Sequence, residues 1–328
     1  SRTVLLLIPE CAGRGGPQRG QEGSIVERVK MLKSRNVAWV VSVGISLVSG
    51  WGCSTVLDPN TTDPNQFDPS AFYVNIQVDA ELQEGEGYLT GLKRMTDELE
   101  SRGINATIYV SADFANAHAA EVHGLYGKGF EIALHGYSTG EQLATMTYDD
   151  QKDVLCRALA AVKGCAACGV GQPVVGFRPQ YFSQNADTCK ILDELEFEYN
   201  SGYKVGVQDA DGFTPQADPV PADGRSFNVL AITTTSHEEE LIYLCDISCA
   251  MAHQFTPEQF GELLSAAVQE CRQNGRPLVA LFHGWYTGDS DTYDYWTKFT
   301  AFLDELEALE NISFVTSRQL VDLYEGDD

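Results

Sequence analysis

From residue 71 onward the apolar positions follow two alternating periods. Short β-branched or aromatic runs read as strands at Phe72–Val78, Asn105–Val110, Phe130–Leu134, Pro173–Phe177, Leu278–Phe282 and Ile312–Val315. Longer segments between them carry apolar residues three and four apart and read as helices. Tyr88–Arg102 presents Leu89, Leu92, Met95 and Leu99 on one face. Tyr148–Lys163 presents Val154, Leu155, Ala158, Leu159 and Val162, and Tyr293–Leu309 presents Trp296, Phe299, Phe302, Leu303 and Leu306. Ala115–Lys128 and Asn185–Glu196 are helical by the same reasoning. Thr256-Pro257-Glu258-Gln259 has the form of a capping box with proline at the first helical position. Thr316 opens a last helix. Strand–helix alternation at this spacing implies an α/β fold with a mainly parallel sheet and helical crossovers. Residues 202–245 are punctuated by Pro and Gly and read as an insertion holding a small hairpin.

The first 70 residues follow a different pattern. No charged residue occurs from Asn36 to Leu57, and Lys30, Lys33 and Arg35 stand just before that stretch. Residues 31–53, from Met31 to Cys53, have the shape of a secretory signal or of a lipoprotein or membrane anchor. If Cys53 is lipidated, the mature protein is exported and held at the cell surface. Residues 1–30 read as a non-structural leader. Residues 54–70, with repeated Asp-Pro, read as a linker.

Charge sharpens the division. The chain has 328 residues and a formal net charge of −25. Residues 1–53 hold seven Lys/Arg against three Asp/Glu, while 54–328 hold 15 against 44. An acidic body without clustered Lys and Arg excludes nucleic acid as a partner. It leaves the membrane only as something reached through the N-terminal segment. Outside Cys11 and Cys53 there are seven cysteines, at 156, 165, 168, 189, 245, 249 and 271. In an exported protein most are expected to pair, with Cys245 and Cys249 as a candidate local bridge.

Four polar residues stand directly after strands: Asp79, His135, Arg178 and His283. In parallel α/β architectures these strand ends converge on one face, where sites are built. A single histidine in such a place is most often structural. Four polar residues, including two of only six histidines, point to a site.

The order of motifs resembles the NodB-homology polysaccharide deacetylases, a group like carbohydrate esterase family 4. The motifs are QVDAE (Gln77–Glu81), HGYST (His135–Thr139), FRPQY (Phe177–Tyr181) and LFH (Leu281–His283), with the ending SFVTSRQLVDLY. The resemblance spans 71–326 and implies a distorted (β/α) barrel behind the signal and linker. It implies metal-dependent removal of acetyl groups, as amide or ester, from a polysaccharide. By resemblance, Asp79 is the base, Arg178 orients it, His283 is the general acid and Asp246 orients His283. The Tyr181 backbone N–H matches an oxyanion donor, and Tyr181 and Trp285 flank the sugar. The divalent metal, zinc by preference, falls to Asp79, His135 and Glu81, with Glu141 as the other candidate third ligand.

Two departures stand out. Ala80 occupies the place of a second Asp, and Thr139 that of a second His. They keep open a second reading, a catalytically impaired surface protein that binds carbohydrate. A two-carboxylate glycosidase ranks behind both, since only Asp79 and Asp246 qualify for such a pair.

Overall fold

The structure is a computed structural model that describes residues 68–85, 87–166, 173–206, 220–221, 227–237, 240–289 and 293–325. The leader, the signal or anchor segment and most of the linker lie outside the described residues. Among the described residues no helix is long and apolar enough to cross a membrane.

In chain order the elements are β1 (Phe72–Ala80), α1 (Gly87–Ser101), β2 (Ala106–Val110), α2 (Ala112–Ala117), α3 (Ala119–Gly127), β3 (Glu131–Leu134), α4 (Tyr148–Ala166), β4 (Gly176–Phe177), α5 (Ala186–Glu194) and β5 (Tyr199–Lys204). They continue with β6 (Val220–Pro221), β7 (Asn228–Ile232), β8 (Thr234–His237), β9 (Glu240–Tyr243), α6 (Pro257–Gln273), β10 (Leu278–His283), α7 (Tyr295–Glu307), β11 (Ile312–Phe314) and α8 (Ser317–Glu325). The strands order as β10-β1-β2-β3-β4-β5-β7, all parallel, and β6 adds antiparallel to β7. β11 pairs with the first residues of β1.

The two ends of this sheet approach each other. Thr233 N–H donates to the Val279 carbonyl at 3.0 Å, and Leu281 N–H to that of Leu244 at 2.9 Å. The result is a nearly closed seven-stranded barrel with flanking helices, the fold that the motifs implied.

Period two on β1 assigns its two faces. Val74, Ile76 and Val78 join the apolar core. Asn75, Gln77 and Asp79, also buried, belong to a polar column. Gln77 Nε2 donates to Asn75 Oδ1 at 2.6 Å and to Ser317 Oγ at 3.1 Å. At the far end, Glu131 accepts from Tyr199 Oη (2.8 Å), Thr107 Oγ1 (2.9 Å) and the Arg318 N–H (3.0 Å). A carboxylate is thereby held at the N-terminus of α8.

Most helix limits agree with the periodicity, and the Thr256–Gln259 capping box forms reciprocally. Three expectations are corrected. The helix expected over Ala115–Lys128 is broken at His118, whose φ of −130° and ψ of 46° are not helical. The His118 ring packs against Phe114 with centroids 4.9 Å apart and bonds Tyr88 Oη at 2.8 Å. Residues 202–245 are not an insertion alone: β5 and β7 are barrel strands, and only β8–β9 forms a separate hairpin. The polar Asn200 and Ser201 and the small Gly202 hid β5, because its fully buried backbone carries few apolar side chains.

The third correction concerns the cysteines. Among the described residues no two are bridged, and Cys245 and Cys249 are buried thiols. Cys249 N–H donates to the Cys245 carbonyl at 3.1 Å, one helical turn on.

Candidate active site

The C-terminal ends of the strands open on a cavity of about 490 Å³. Asp79, Glu81, His135, Arg178, Tyr181, His283 and Trp285 all line it. Asp79 and His283 are direct partners across the β1–β10 pair. Cys245 bridges to Leu281, which carries Asp246 to the side of His283. His135 and Arg178 enter from β3 and β4, with His135 N–H on the Val110 carbonyl and Arg178 N–H on that of Leu134, both at 2.9 Å.

Asp79 is the centre of the arrangement. Its Oδ1 accepts from Arg178 Nη1 at 2.8 Å, and its Oδ2 lies 3.3 Å from His135 Nε2 and 3.5 Å from His283 Nε2. Arg178 is almost fully buried; it also donates to Gln77 Oε1 and to Ser201 Oγ, and lies 3.9 Å above the Tyr109 ring. Breaking such a buried pair by removing one partner costs about 3–5 kcal/mol.

His283 is backed by Asp246. Its Nδ1–H donates to Asp246 Oδ1 at 2.7 Å, so Nε2 faces the cavity. Burial alone would lower the pKa of this ring. The charge and hydrogen bond of Asp246, with Asp79 and Glu81 behind them, raise it instead to about 9. At neutral pH it therefore carries a proton.

His135 has the opposite problem of too many acceptors. Its Nδ1–H donates to the Arg178 carbonyl at 3.0 Å, which turns Nε2 toward Glu81 Oε1 at 2.9 Å and Asp79 Oδ2 at 3.3 Å. A neutral ring would aim a lone pair at two carboxylates. Either a proton or a cation belongs between them. With a proton there, the neighbouring Asp79 and Glu81 raise the His135 pKa against the effect of burial. Burial likewise pushes Glu81 up, but His135 overcomes it and holds the carboxyl at about 2. One imidazole and two carboxylates are ligand types that zinc accepts, although here the ligand atoms of Asp79, His135 and Glu81 do not all lie within 4.8 Å of one another.

Glu141, the other candidate ligand, does not reach the cavity, and Thr139 supplies no ligand in place of the missing His. Glu141 does not line the cavity; its Oε2 accepts from Tyr137 N–H at 3.2 Å, and its buried Oε1 sits beneath Gly136. A Cβ on Gly136 would come within 2.7 Å of that oxygen, and the residue's φ of 72° also favours glycine. Thr139 does line the cavity, but its hydroxyl donates to the Leu82 carbonyl at 2.9 Å. Among the described residues, Cys245, Asp246 and His283 alone bring three ligand-type atoms within 4.8 Å of one another. In that group Asp246 already accepts from His283 Nδ1, His283 N–H, Thr287 Oγ1 and Ile247 N–H, all at 2.7 Å, and burial pushes the Cys245 thiol well up.

The cavity walls are aromatic. Trp285 lies 5.2 Å from the His283 ring, and Phe182 meets Tyr243 edge-on at 5.7 Å. Tyr181 is 67% exposed, and Met251 adds a second exposed apolar side chain to the lining. Tyr181 and Phe182 have φ of 54° and 56°. Each such non-glycine residue in the left-handed region costs about 1–2 kcal/mol, and strain of this kind gathers at functional loops. The motif reading missed Gln77, Lys204, Tyr243 and Thr287. Gln77 was legible from period two, since it lies two residues before Asp79; the others sit on segments without a motif.

A family model described as polysaccharide deacetylase matches residues 85–200. The likeness to polysaccharide deacetylases is borne out. A solved structure assigned as a polysaccharide deacetylase from Mycobacterium smegmatis is similar at 20% identity and TM-score 0.64, covering 79% of this chain and 92% of that one. One so assigned from Pseudomonas aeruginosa PAO1 is similar at 15% identity and TM-score 0.61, covering 82% and 96%. PuuE allantoinase is similar at 14% and TM-score 0.61, covering 82% and 95%. At these identities the likeness carries the fold alone. No curated protein sequence matches the chain.

Proposed function

We propose that this chain is an exported hydrolase that removes acetyl groups, as amide or ester, from a polysaccharide at the cell surface. One observation carries the reading. Asp79 holds one oxygen on Arg178 and turns the other between two imidazoles, of which His283 is loaded with a proton by Asp246.

Each residue has a role that follows from its contacts. Asp79 Oδ2 takes a proton from the attacking water. Arg178 fixes Asp79 through a charge-assisted hydrogen bond. Water adds to the carbonyl carbon, and the developing oxyanion needs a donor aimed at it; the Tyr181 N–H on its strained loop serves. The bond to nitrogen or oxygen then breaks, His283 Nε2 gives its proton to the leaving amine or alkoxide, and acetate departs. Positioned acids and bases of this kind are worth about 10²–10⁴ in rate. His135, Glu81 and Asp79 would hold the divalent cation, zinc by preference, which when bound polarises the acyl carbonyl and acidifies the water. Tyr181 and Trp285 would stack on sugar faces.

Ala80 and Thr139 favour the competing reading, a binding protein without turnover. Elemental analysis of the purified protein, followed by acetate release from N-acetylated chito-oligosaccharides by wild type and Asp79→Asn, separates the two. Bound metal, with acetate release lost in Asp79→Asn, supports the hydrolase. No metal and no acetate, with glycan binding intact, replaces it by the binding protein.

A further inference from the structure

Lys204, the last residue of β5, lines the same cavity as Asp79 and His283. Its ammonium lies 4.2 Å from the Tyr243 ring centroid and 4.9 Å from that of Phe182. Two aromatic faces attract a cation but do not neutralise it. Among the described residues no carboxylate pairs with Lys204, and burial outweighs the one charge effect acting on it, that of Cys245. Burial accordingly disfavours its charge. Other lysines of this acidic chain, with 47 acidic and 22 basic residues, do find a carboxylate. Lys93, Lys128, Lys152 and Lys298 each have one.

A partly desolvated ammonium at the cavity wall, clamped by two aromatic rings and paired with no carboxylate among the described residues, can receive an incoming anion. The rings meanwhile offer a stacking surface to the sugar that carries it. We propose that Lys204 is a specificity-determining residue that recognises a carboxylate, and that the glycan accepted here contains uronate next to the acylated sugar. This deepens the hydrolase reading and rests on it for the glycan. The overall charge of −25 does not oppose it at contact range. Surface carboxylates beyond about 8 Å are screened at physiological salt, and a partly buried pair is screened much less.

The test is calorimetric binding of two probes that share the acetamide and differ in charge, N-acetylchitotetraose and a hyaluronan tetrasaccharide. A charge-assisted hydrogen bond of this kind is worth roughly tenfold to hundredfold in affinity. Wild type is expected to bind the hyaluronan tetrasaccharide at least about tenfold more tightly. Lys204→Met keeps the stem between the rings and should erase that preference; Lys204→Arg should retain it. A carboxyl-reduced hyaluronan tetrasaccharide repeats the comparison on the unaltered protein, so a variant that fails to fold does not decide the matter. Equal or tighter binding of the neutral probe by wild type overturns the proposal, as does Lys204→Met weakening both probes equally. Acetate release is followed on the same probes. Charge preference without acetate strikes the hydrolase reading alone, and acetate without charge preference strikes the Lys204 proposal alone.

Discussion

Replacing Asp246 by asparagine tests the electrostatics of the site most directly. In wild type His283 sits near 9, against 6.5 for a free imidazole, although burial pulls it down. At about 1.4 kcal/mol per pH unit, the difference favours the imidazolium by about 3 kcal/mol. The substituted side chain still offers one oxygen to Nδ1–H but carries no charge, and its amide nitrogen cannot accept from the His283 N–H or from Thr287. The burial effect is then opposed only by Asp79 and Glu81, so the His283 midpoint should fall by about two pH units or more. Heteronuclear NMR titration of the metal-free protein reads this midpoint. A raised histidine pKa stabilises the fold fully below 6.5, and the contribution is lost as pH rises to about 9. Wild type should therefore lose up to about 3 kcal/mol of stability across that window, while Asp246→Asn stays nearly flat. Denaturant midpoints at fixed pH steps check the slope. A wild-type midpoint near 6.5, or one unchanged by Asp246→Asn, refutes the reasoning.

Other outcomes follow from the same geometry. Arg178→Met leaves Asp79 buried beside two imidazoles without its guanidinium and should destabilise the protein by about 3–5 kcal/mol, read by urea unfolding. Thr139→His brings a second imidazole to the cavity rim at the loss of the hydrogen bond to Leu82; zinc affinity measured by competition with a chromogenic chelator should rise at least about tenfold, and unchanged affinity removes His135, Glu81 and Asp79 from the metal's side of the cavity. Gly284→Ala puts a Cβ 2.6 Å from the Leu92 nitrogen and the Tyr88 carbonyl of α1, next to His283. Backbone must move, so acetate release should fall more than about tenfold even where melting shows the fold retained.

Much of the fold was legible in the chain because burial imposes a period on side chains. α1, α4, α6 and α7 announce themselves through one apolar face each, and α6 through its capping box. β10 is a run that a doubly covered parallel strand carries, β1 alternates apolar residues with Asn75 and Gln77, and Asp79 and His283 at their C-terminal ends face the cavity. β5 escaped notice for the converse reason. Its Asn200 and Ser201 have buried polar partners, Gln184 and Arg178, and such polar pairing erases the apolar signature.

The residue types of the site were set by the sequence: an aspartate, an arginine and two histidines directly behind strands, with the losses at Ala80 and Thr139. Their partners were not. Whether Glu81 or Glu141 faces His135 depended on the loop after β3, which turns at Gly136 and tucks Glu141 behind the cavity. That Asp246 stands behind His283, and that Lys204 lies between Phe182 and Tyr243, depended on closing the sheet between β7 and β10. Local pattern records which face of an element is buried. Contacts between residues 37 or 99 positions apart, such as His283 with Asp246 and Arg178 with Asp79, arise only when the barrel closes, and no single stretch of chain encodes them.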